Sequence, residues 1–145
     1  MIDQQVQASS ATNRASANGG GELKTKLSPR PVADTVNRLQ SLAEGHGMKV
    51  FAVIDHSGEA KRVGLELRDT KVVIFGSPKA GTPVMMVAPL AALDMPLKAL
   101  VWSDDGQTKV TYTAPASLAA RYGLDEELEA RLAGIDALTD ALISQ

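Results

Sequence analysis

The sequence predicts a single α+β domain in which helices pack on one face of a mostly antiparallel sheet of about four to five strands. Three observations support this prediction. Short apolar runs at residues 48–54 and 70–75 have the length and composition of buried strands. Two further strand-like runs flank an Asp-Asp-Gly turn, and apolar side chains recur at helical spacing near both ends of residues 22–145. A chain of 145 residues suits one domain.

The first elements are a strand and a helix. Residues 22–27 alternate weakly, which indicates a strand, and Ser28, Pro29 and Pro31 then supply a helix start. That helix presents one apolar face, formed by Val32, Val36, Leu39 and Leu42. Gly47 is placed to end the helix in the left-handed conformation.

The middle of the chain alternates strands with short helical pieces. After the strand at 48–54, residues 57–63 predict one or two helical turns with Ala60 and Val63 facing inward. A short extended piece is expected around Leu65 and Leu67, before the strand at 70–75. Ser77-Pro78 and Thr82-Pro83 both have the cap-then-proline pattern of a helix start, so residues 84–87 are expected to form a short buried helix.

The last third predicts a hairpin and two helices. Residues 97–103 and 107–113 flank the turn at 104–106 and should be antiparallel neighbours. Residues 115–122 form a short helix that Gly123 ends, and Asp125 opens a final helix. The inward stripe of this final helix is Leu128, Leu132, Ile135, Leu138 and Leu142.

Residues 1–21 are rich in Ala, Ser, Gln, Asn and Gly without periodicity, and we expect a disordered tail before the domain at 22–145. This segment lacks the basic and apolar regions of a secretory signal, so a cytoplasmic location is expected. The net charge of −2 and the scarcity of aromatics disfavour nucleic acid as a partner. No apolar run approaches the length of a membrane span, so no membrane partner is expected.

The residue types present restrict the possible chemistry. The chain has no cysteine, which excludes disulfides, thiolate nucleophiles and iron–sulfur clusters. With only His46 and His56, a metal site would have to recruit carboxylates, and neither a metal nor a cofactor is expected. Consecutive Met85 and Met86 are interpreted as core residues rather than as ligands for copper or haem.

His56 is the most interesting titratable residue, because an imidazole at a strand end can transfer protons near neutral pH. Asp55 should point to the opposite face, whereas Glu59 would reach His56 if a helical turn begins at once. The simpler interpretation is a capping or hydrogen-bonded loop histidine.

The segment 76–82 resembles a phosphate loop in outline but lacks the lysine after its second glycine, which disfavours nucleotide hydrolysis. Backbone N–H groups there, with Ser77, Lys79 and Thr82, remain candidates for holding a carboxylate or phosphate. A tight turn with a helix cap is the simpler alternative. Tyr112 is either a further ligand-binding residue beside His56 or an ordinary cross-strand aromatic.

Several strings in this order resemble a known family: VIDH at 53–56, AKRVGL at 60–65, TKVVIFGSP at 70–78, PLAALDMPLK at 89–98 and VTY at 110–112. From about Leu23 onward the chain resembles the bacterial and archaeal family called domain of unknown function 302. That resemblance implies a compact α+β fold and a homodimer, and it implies no activity. The family usually has Asn where this chain has Ser77, so no role for a side-chain amide is implied there.

Three functional hypotheses follow. The first is a homodimeric module that binds or senses a small ligand through His56, Ser77, Lys79 and Tyr112. The second is an enzyme that uses His56 as general acid or base, with Tyr112 or Ser77 assisting. The third is a structural or protein-interaction domain without a catalytic site. The first two require that His56, Ser77 and Tyr112 converge in one cavity.

Overall fold

The computed structural model of the protein describes residues 22–145, and the predicted disordered tail at residues 1–21 lies outside them. The described residues form one five-stranded antiparallel sheet with the strand order β1-β5-β4-β3-β2. The strands are β1 (Leu23–Ser28), β2 (Lys49–Asp55), β3 (Thr70–Gly76), β4 (Leu97–Asp104) and β5 (Gln107–Thr113). The predicted α+β fold class is therefore confirmed.

Helices connect and cover these strands. They are α1 (Val32–Gly45), α2 (His56–Arg62), α3 (Pro78–Val87), α4 (Pro115–Tyr122), α5 (Glu126–Leu132) and α6 (Gly134–Ile143), with a 3-10 helix at Pro89–Asp94. None of the helices in residues 22–145 combines the length and hydrophobicity that crossing a bilayer requires.

The hairpin between β4 and β5 has the geometry that its turn residues predict. Asp104 pairs with Gln107, so the connection is the two residues Asp105 and Gly106. Their φ angles are +50° and +84°, and positive φ at both central positions matches the right-handed twist of the strands. Gly123 likewise ends α4 with a φ of +64°, as the sequence indicated.

A large apolar core lies between the sheet and two helices. Alternate residues of the central strands point to one face, where α1 and α6 cover them. This core contains Val36, Leu39, Val73, Phe75, Val101, Val110, Leu138 and Leu142, all of them buried. On the opposite face Trp102 is half-buried, and its Nε1 donates a hydrogen bond to Thr111 Oγ1 at 3.0 Å.

A second, smaller core lies beyond the end of the sheet. Val84 from α3, Ala91 from the 3-10 helix, Leu118 from α4 and Leu132 from α5 are its buried members. Helix α3 packs against α5 and the 3-10 helix, so these elements form a separate lobe beside the large core.

Two predictions near α2 are wrong. Val63 is exposed rather than inward-facing, and Leu65 and Leu67 lie in exposed coil rather than in an extended strand-like piece. Helix α2 itself has no buried residue. A pattern over so few residues shows which side chains share a face, but it does not show whether another element covers that face.

Two helix boundaries also differ from the sequence prediction. Ser77 caps a helix as predicted, but α3 then continues through Pro83, so Thr82 does not start a new helix. Val84 is buried, whereas Met86 and Val87 at the end of α3 are exposed. The predicted final helix is two helices, which separate at Ala133.

Tyr112 anchors α6 to the sheet. Its side chain is buried, its hydroxyl donates to Asp136 Oδ1 at 2.5 Å, and Thr139 Oγ1 donates to that hydroxyl at 3.3 Å. Burial and the hydrogen bond to Asp136 raise the pKa of Tyr112. Burial acts to raise the pKa of Asp136 as well, but the hydrogen bonds from Tyr112 and Lys24 outweigh it, so that pKa lies below its usual value.

Lys26 reinforces the same attachment. Its Nζ donates to Thr139 Oγ1 and Asp140 Oδ1, both at 2.7 Å, and lies 5.5 Å from the centroid of the Tyr112 ring. Burial acts to lower the pKa of Lys26, and the hydrogen bonds to Asp140 and Tyr112 outweigh it, leaving that pKa raised. Strand β1 is thereby tied to α6 through charged groups on the inner face of the sheet.

We expect Leu39→Ala to lower the free energy of unfolding by about 2 to 5 kcal/mol, because Leu39 is fully buried between α1 and the sheet and its removal leaves a cavity. Urea denaturation followed by circular dichroism measures this change. Leu90→Ala is the control: Leu90 is 79% exposed, and its truncation should change stability by less than about 0.5 kcal/mol. Equal losses in the two variants would contradict the assignment of the core.

We expect Asp136→Asn to weaken the dependence of stability on acid pH. A carboxyl group whose pKa is lower in the folded state stabilises the fold above its unfolded pKa, and this contribution disappears as pH falls through the folded pKa. Urea midpoints between pH 3 and pH 7 should therefore fall less steeply in the variant than in the wild type. Asp105→Asn, in the exposed hairpin turn, should keep the wild-type slope, and the same slope for Asp136→Asn would refute the role of this carboxylate.

Candidate functional site

A cavity of about 390 Å³ lies at the end of the sheet where β3 ends and β4 begins. Gly76 and Leu97 line it from these two strands, and Ser77 lines it at the start of α3. Leu132 at the end of α5 and Ile135 at the start of α6 line it from the helical side. A cavity of this volume suits a small molecule.

The cavity lies at the boundary between the two apolar cores. Ile135 belongs to the large core and Leu132 to the small one, and Leu97 packs against both. Helix α3 packs against α5 rather than on the sheet, and the helices α5 and α6 separate at Ala133. The two cores therefore do not merge, and the space between them stays open.

The lining is mainly apolar and includes three methionines, Met48, Met85 and Met95. Methionine is flexible and polarizable, so these walls can adapt to ligands of different shape. Gly81 allows α3 to approach one of them closely, because a Cβ there would stand 2.9 Å from Met95 Cε. Phe51 adds an aromatic side chain at the edge of the sheet.

The polar groups at the cavity are few. Ser77 Oγ accepts a hydrogen bond from Ala80 N at 3.3 Å, and the Ser77 carbonyl accepts from Ala80 N and Gly81 N at 3.0 and 2.8 Å. Pro78 has no N–H, so the backbone donors considered for an anion at this helix start are largely committed to the cap. Lys79 is exposed and is not among the residues that line the cavity.

His56 lies at the opposite end of the β2–β3 pair. Asp55 pairs with Lys71 near one end, whereas Lys49 pairs with Gly76 at the other, so His56 and Ser77 are separated by roughly 20 Å. His56 is the exposed first residue of α2. The Asp55 carboxylate caps this helix by accepting from Ser57 Oγ at 2.6 Å and Gly58 N at 2.9 Å, and these bonds lower the pKa of Asp55.

Tyr112 occupies a third location, buried in the large core against Asp136. The structure therefore does not bring His56, Ser77 and Tyr112 into one cavity, and that expectation is corrected. Of the four predicted ligand-binding residues, Ser77 lines the cavity. An enzyme that uses His56 with help from Tyr112 or Ser77 lacks the required proximity.

The residues that sequence reasoning missed are the apolar walls and Arg131. The sequence predicts a core position for Met85, but Met85 lines the cavity because α3 does not close on the sheet. Arg131 lies in the last turn of a surface helix and had no local signal that distinguished it from a solvated residue. These residues are recognised as part of the cavity only because α3, α5 and the strand ends pack close together in the folded protein.

Neither histidine lines the cavity. His46 follows α1, and its Nδ1 lies 2.7 Å from the Leu42 carbonyl, a contact by which a side chain at a helix end satisfies one of the last carbonyls. Throughout residues 22–145, no group of three or more His, Asp or Glu side chains is arranged to hold a metal ion.

Comparison with known proteins extends these observations. Over 122 residues the chain is 38% identical to a protein of Brucella suis named fluoride-specific ion channel FluC 1, and the match covers 81% of this chain and 48% of that protein. A protein of Brucella melitensis named fluoride-specific ion channel FluC 2 is also 38% identical, with 45% of its length covered. The chain thus spans about half the length of these relatives.

A solved structure is similar in fold. The crystal structure of an uncharacterized conserved DUF302 protein from Bacillus stearothermophilus has a TM-score of 0.72 and 20% sequence identity, covering 83% of this chain and 94% of that one. At this identity the likeness concerns the fold. The family model described as "Domain of unknown function DUF302" matches residues 24–142, and the chain belongs to this family.

Proposed function

We propose that this domain is a binding or sensing module for a small, largely apolar molecule, which it holds in the cavity between the two cores. The observation that carries the proposal is the combination of volume and lining: about 390 Å³ bounded mainly by methionine, aliphatic and proline side chains. Ligand sites in proteins commonly combine such apolar walls with a few polar groups.

Burial of the ligand's apolar surface would provide most of the affinity. Each Å² of apolar surface removed from water contributes roughly 25 cal/mol, so a molecule of a few carbon atoms gains only weak binding from this source. The methionines Met48, Met85 and Met95 would adjust to its shape. Ser77 and Thr82 supply hydroxyl groups at the cavity wall for orientation.

The Brucella relatives suggest a setting for this module. Because those chains are about twice as long as the matched segment and are named fluoride-specific ion channels, we propose that the domain acts as a ligand-responsive module beside a channel. Fluoride itself is a poor match for the cavity, since a small anion loses its water there without enough donors to replace it.

We expect Ala80→Leu to abolish ligand binding, because Ala80 lines the cavity and a larger side chain on this helix fills it. The measurement is a thermal-shift screen of wild type and variant against small aliphatic and aromatic compounds. A ligand that binds only the folded state raises the melting temperature, and the stabilisation grows with the logarithm of the ligand concentration above Kd. Wild-type shifts should disappear in Ala80→Leu.

The matched control is Ala120→Leu, the same change on the exposed side of α4. It should retain every shift that the wild type shows. Sodium fluoride should leave the melting temperature of all three proteins unchanged. Absence of any shift in the wild type, or equal shifts in wild type and Ala80→Leu, would reject the cavity as a binding site.

We further propose that the domain is a homodimer that forms through strand β2. In the described sheet β2 is an edge strand paired only with β3, and its side chains Phe51 and Ile54 are 44% and 38% exposed. An exposed apolar edge is a template for pairing with another strand. The other edge strand, β1, is protected against pairing with another chain, because Lys24 and Lys26 place charges on its inner face.

The sequence of β2 is complementary to itself in an antiparallel pair. If two copies pair about Ala52, Lys49 of each copy lies opposite Asp55 of the other. Unlike charges in such positions stabilise a strand pair, whereas a parallel pair in register would place like charges together. The proposed dimer is therefore a continuous sheet of two copies related by a two-fold axis.

We expect Ile54→Glu to convert the dimer to a monomer, because the new carboxylate would lie in the apolar edge contact. Sedimentation equilibrium should give twice the chain mass for the wild type and the chain mass for the variant. Leu27→Glu is the control, since Leu27 is an exposed residue on the other edge strand and lies opposite Lys109. A monomeric wild type, or a dimer that survives Ile54→Glu and dissociates with Leu27→Glu, would contradict the assignment to β2.

A further inference from the structure

Arg131 provides the charge at an otherwise neutral cavity. Of the residues that line the cavity in the described part of the chain, Arg131 alone carries a formal charge. It lies in the last turn of α5, and its side chain is 38% exposed, so this residue lies at the rim of the cavity rather than sealed inside. A cation at the rim of an apolar site favours a ligand with one anionic end.

The ion pair of Arg131 with Glu127 is weak. Arg131 Nη2 lies 3.7 Å from Glu127 Oε1, one helical turn earlier, and the Glu127 side chain is 80% exposed. That distance exceeds hydrogen-bond range, and exposed pairs of this kind contribute little to stability. An incoming carboxylate can therefore replace Glu127 with little loss and form two parallel hydrogen bonds with the guanidinium.

The remaining groups favour a carboxylate over a phosphate. A phosphate dianion needs several donors, and the N–H groups of Ala80 and Gly81 at the start of α3 already donate to the Ser77 carbonyl. A carboxylate requires only the planar pair of donors that one arginine presents. The apolar body of such a ligand would extend along Met85 and Met95.

We propose that the cavity selects a small monocarboxylic acid with an apolar body, whose carboxylate pairs with Arg131. This inference rests on the proposed ligand-binding function and specifies its ligand class. The selectivity arises because the apolar walls would accept a neutral analogue of the same shape, whereas only the acid uses the guanidinium.

The test compares octanoate with octanamide, which share a carbon chain and differ in charge. Isothermal titration of the full-length wild type should show octanoate binding about tenfold more tightly than octanamide, as expected for one charge-assisted pair. Arg131→Gln should remove about this tenfold difference and leave the octanamide affinity within twofold. Arg131→Gln is thus expected to lose the preference for octanoate over octanamide while it still binds both compounds.

Arg62→Gln is the matched control, because Arg62 is likewise an exposed helix residue paired with a glutamate, Glu59, at 3.4 Å. It should keep the wild-type preference, and equal urea midpoints for the two variants verify that both are folded. Glu127→Gln should leave octanoate binding unchanged or slightly tighter, since it removes the competing carboxylate.

The outcomes separate the two proposals. If octanoate and octanamide bind equally and Arg131→Gln changes neither, the carboxylate assignment is overturned while binding in the cavity stands. If neither compound binds the wild type, both the carboxylate assignment and the proposed binding function are overturned. A preference for octanoate that persists in Arg131→Gln would also overturn the role of Arg131.

Discussion

Contact of α1 and α6 with one face of the sheet is the constraint on which the remaining structure depends. The buried side chains of the central strands need a cover, and these two helices provide it. Hydrogen bonds from Lys26 and Tyr112 then fix α6 along the strands. Because α6 is held there, the chain that precedes it must approach from beyond the end of the sheet, and α5 turns away at Ala133.

The cavity is a consequence of that turn. Helix α3 packs against α5 in a small lobe, and this lobe has its own apolar core. Two cores that share only Leu97 and the neighbouring helix ends cannot fill all the space between them with side chains. Packing defects usually destabilise a fold by leaving side chains without neighbours, so an open apolar volume of this size is consistent with a site that a ligand completes.

Phe51 connects the cavity with the exposed edge of the sheet. It lies where the β2–β3 register shifts between Val50 and Ala52, and it both lines the cavity and reaches the surface. Bulges of this kind redirect a side chain without ending the strand. A dimer through β2 would place the second copy beside Phe51, so occupancy of the cavity and association of two copies would influence each other through this side chain.

The sequence by itself determined the elements whose signals are local. The turn at Asp105 and Gly106, the caps at Ser77 and Asp125 and the left-handed Gly123 follow from backbone and side-chain chemistry within a few residues. Tertiary structure alone decided the exposure of Val63, the continuation of α3 through Pro83 and the position of Tyr112. It also decided the cavity, because Met48, Met85 and Arg131 are distant in sequence and meet only through the packing of two lobes, which periodicity does not encode.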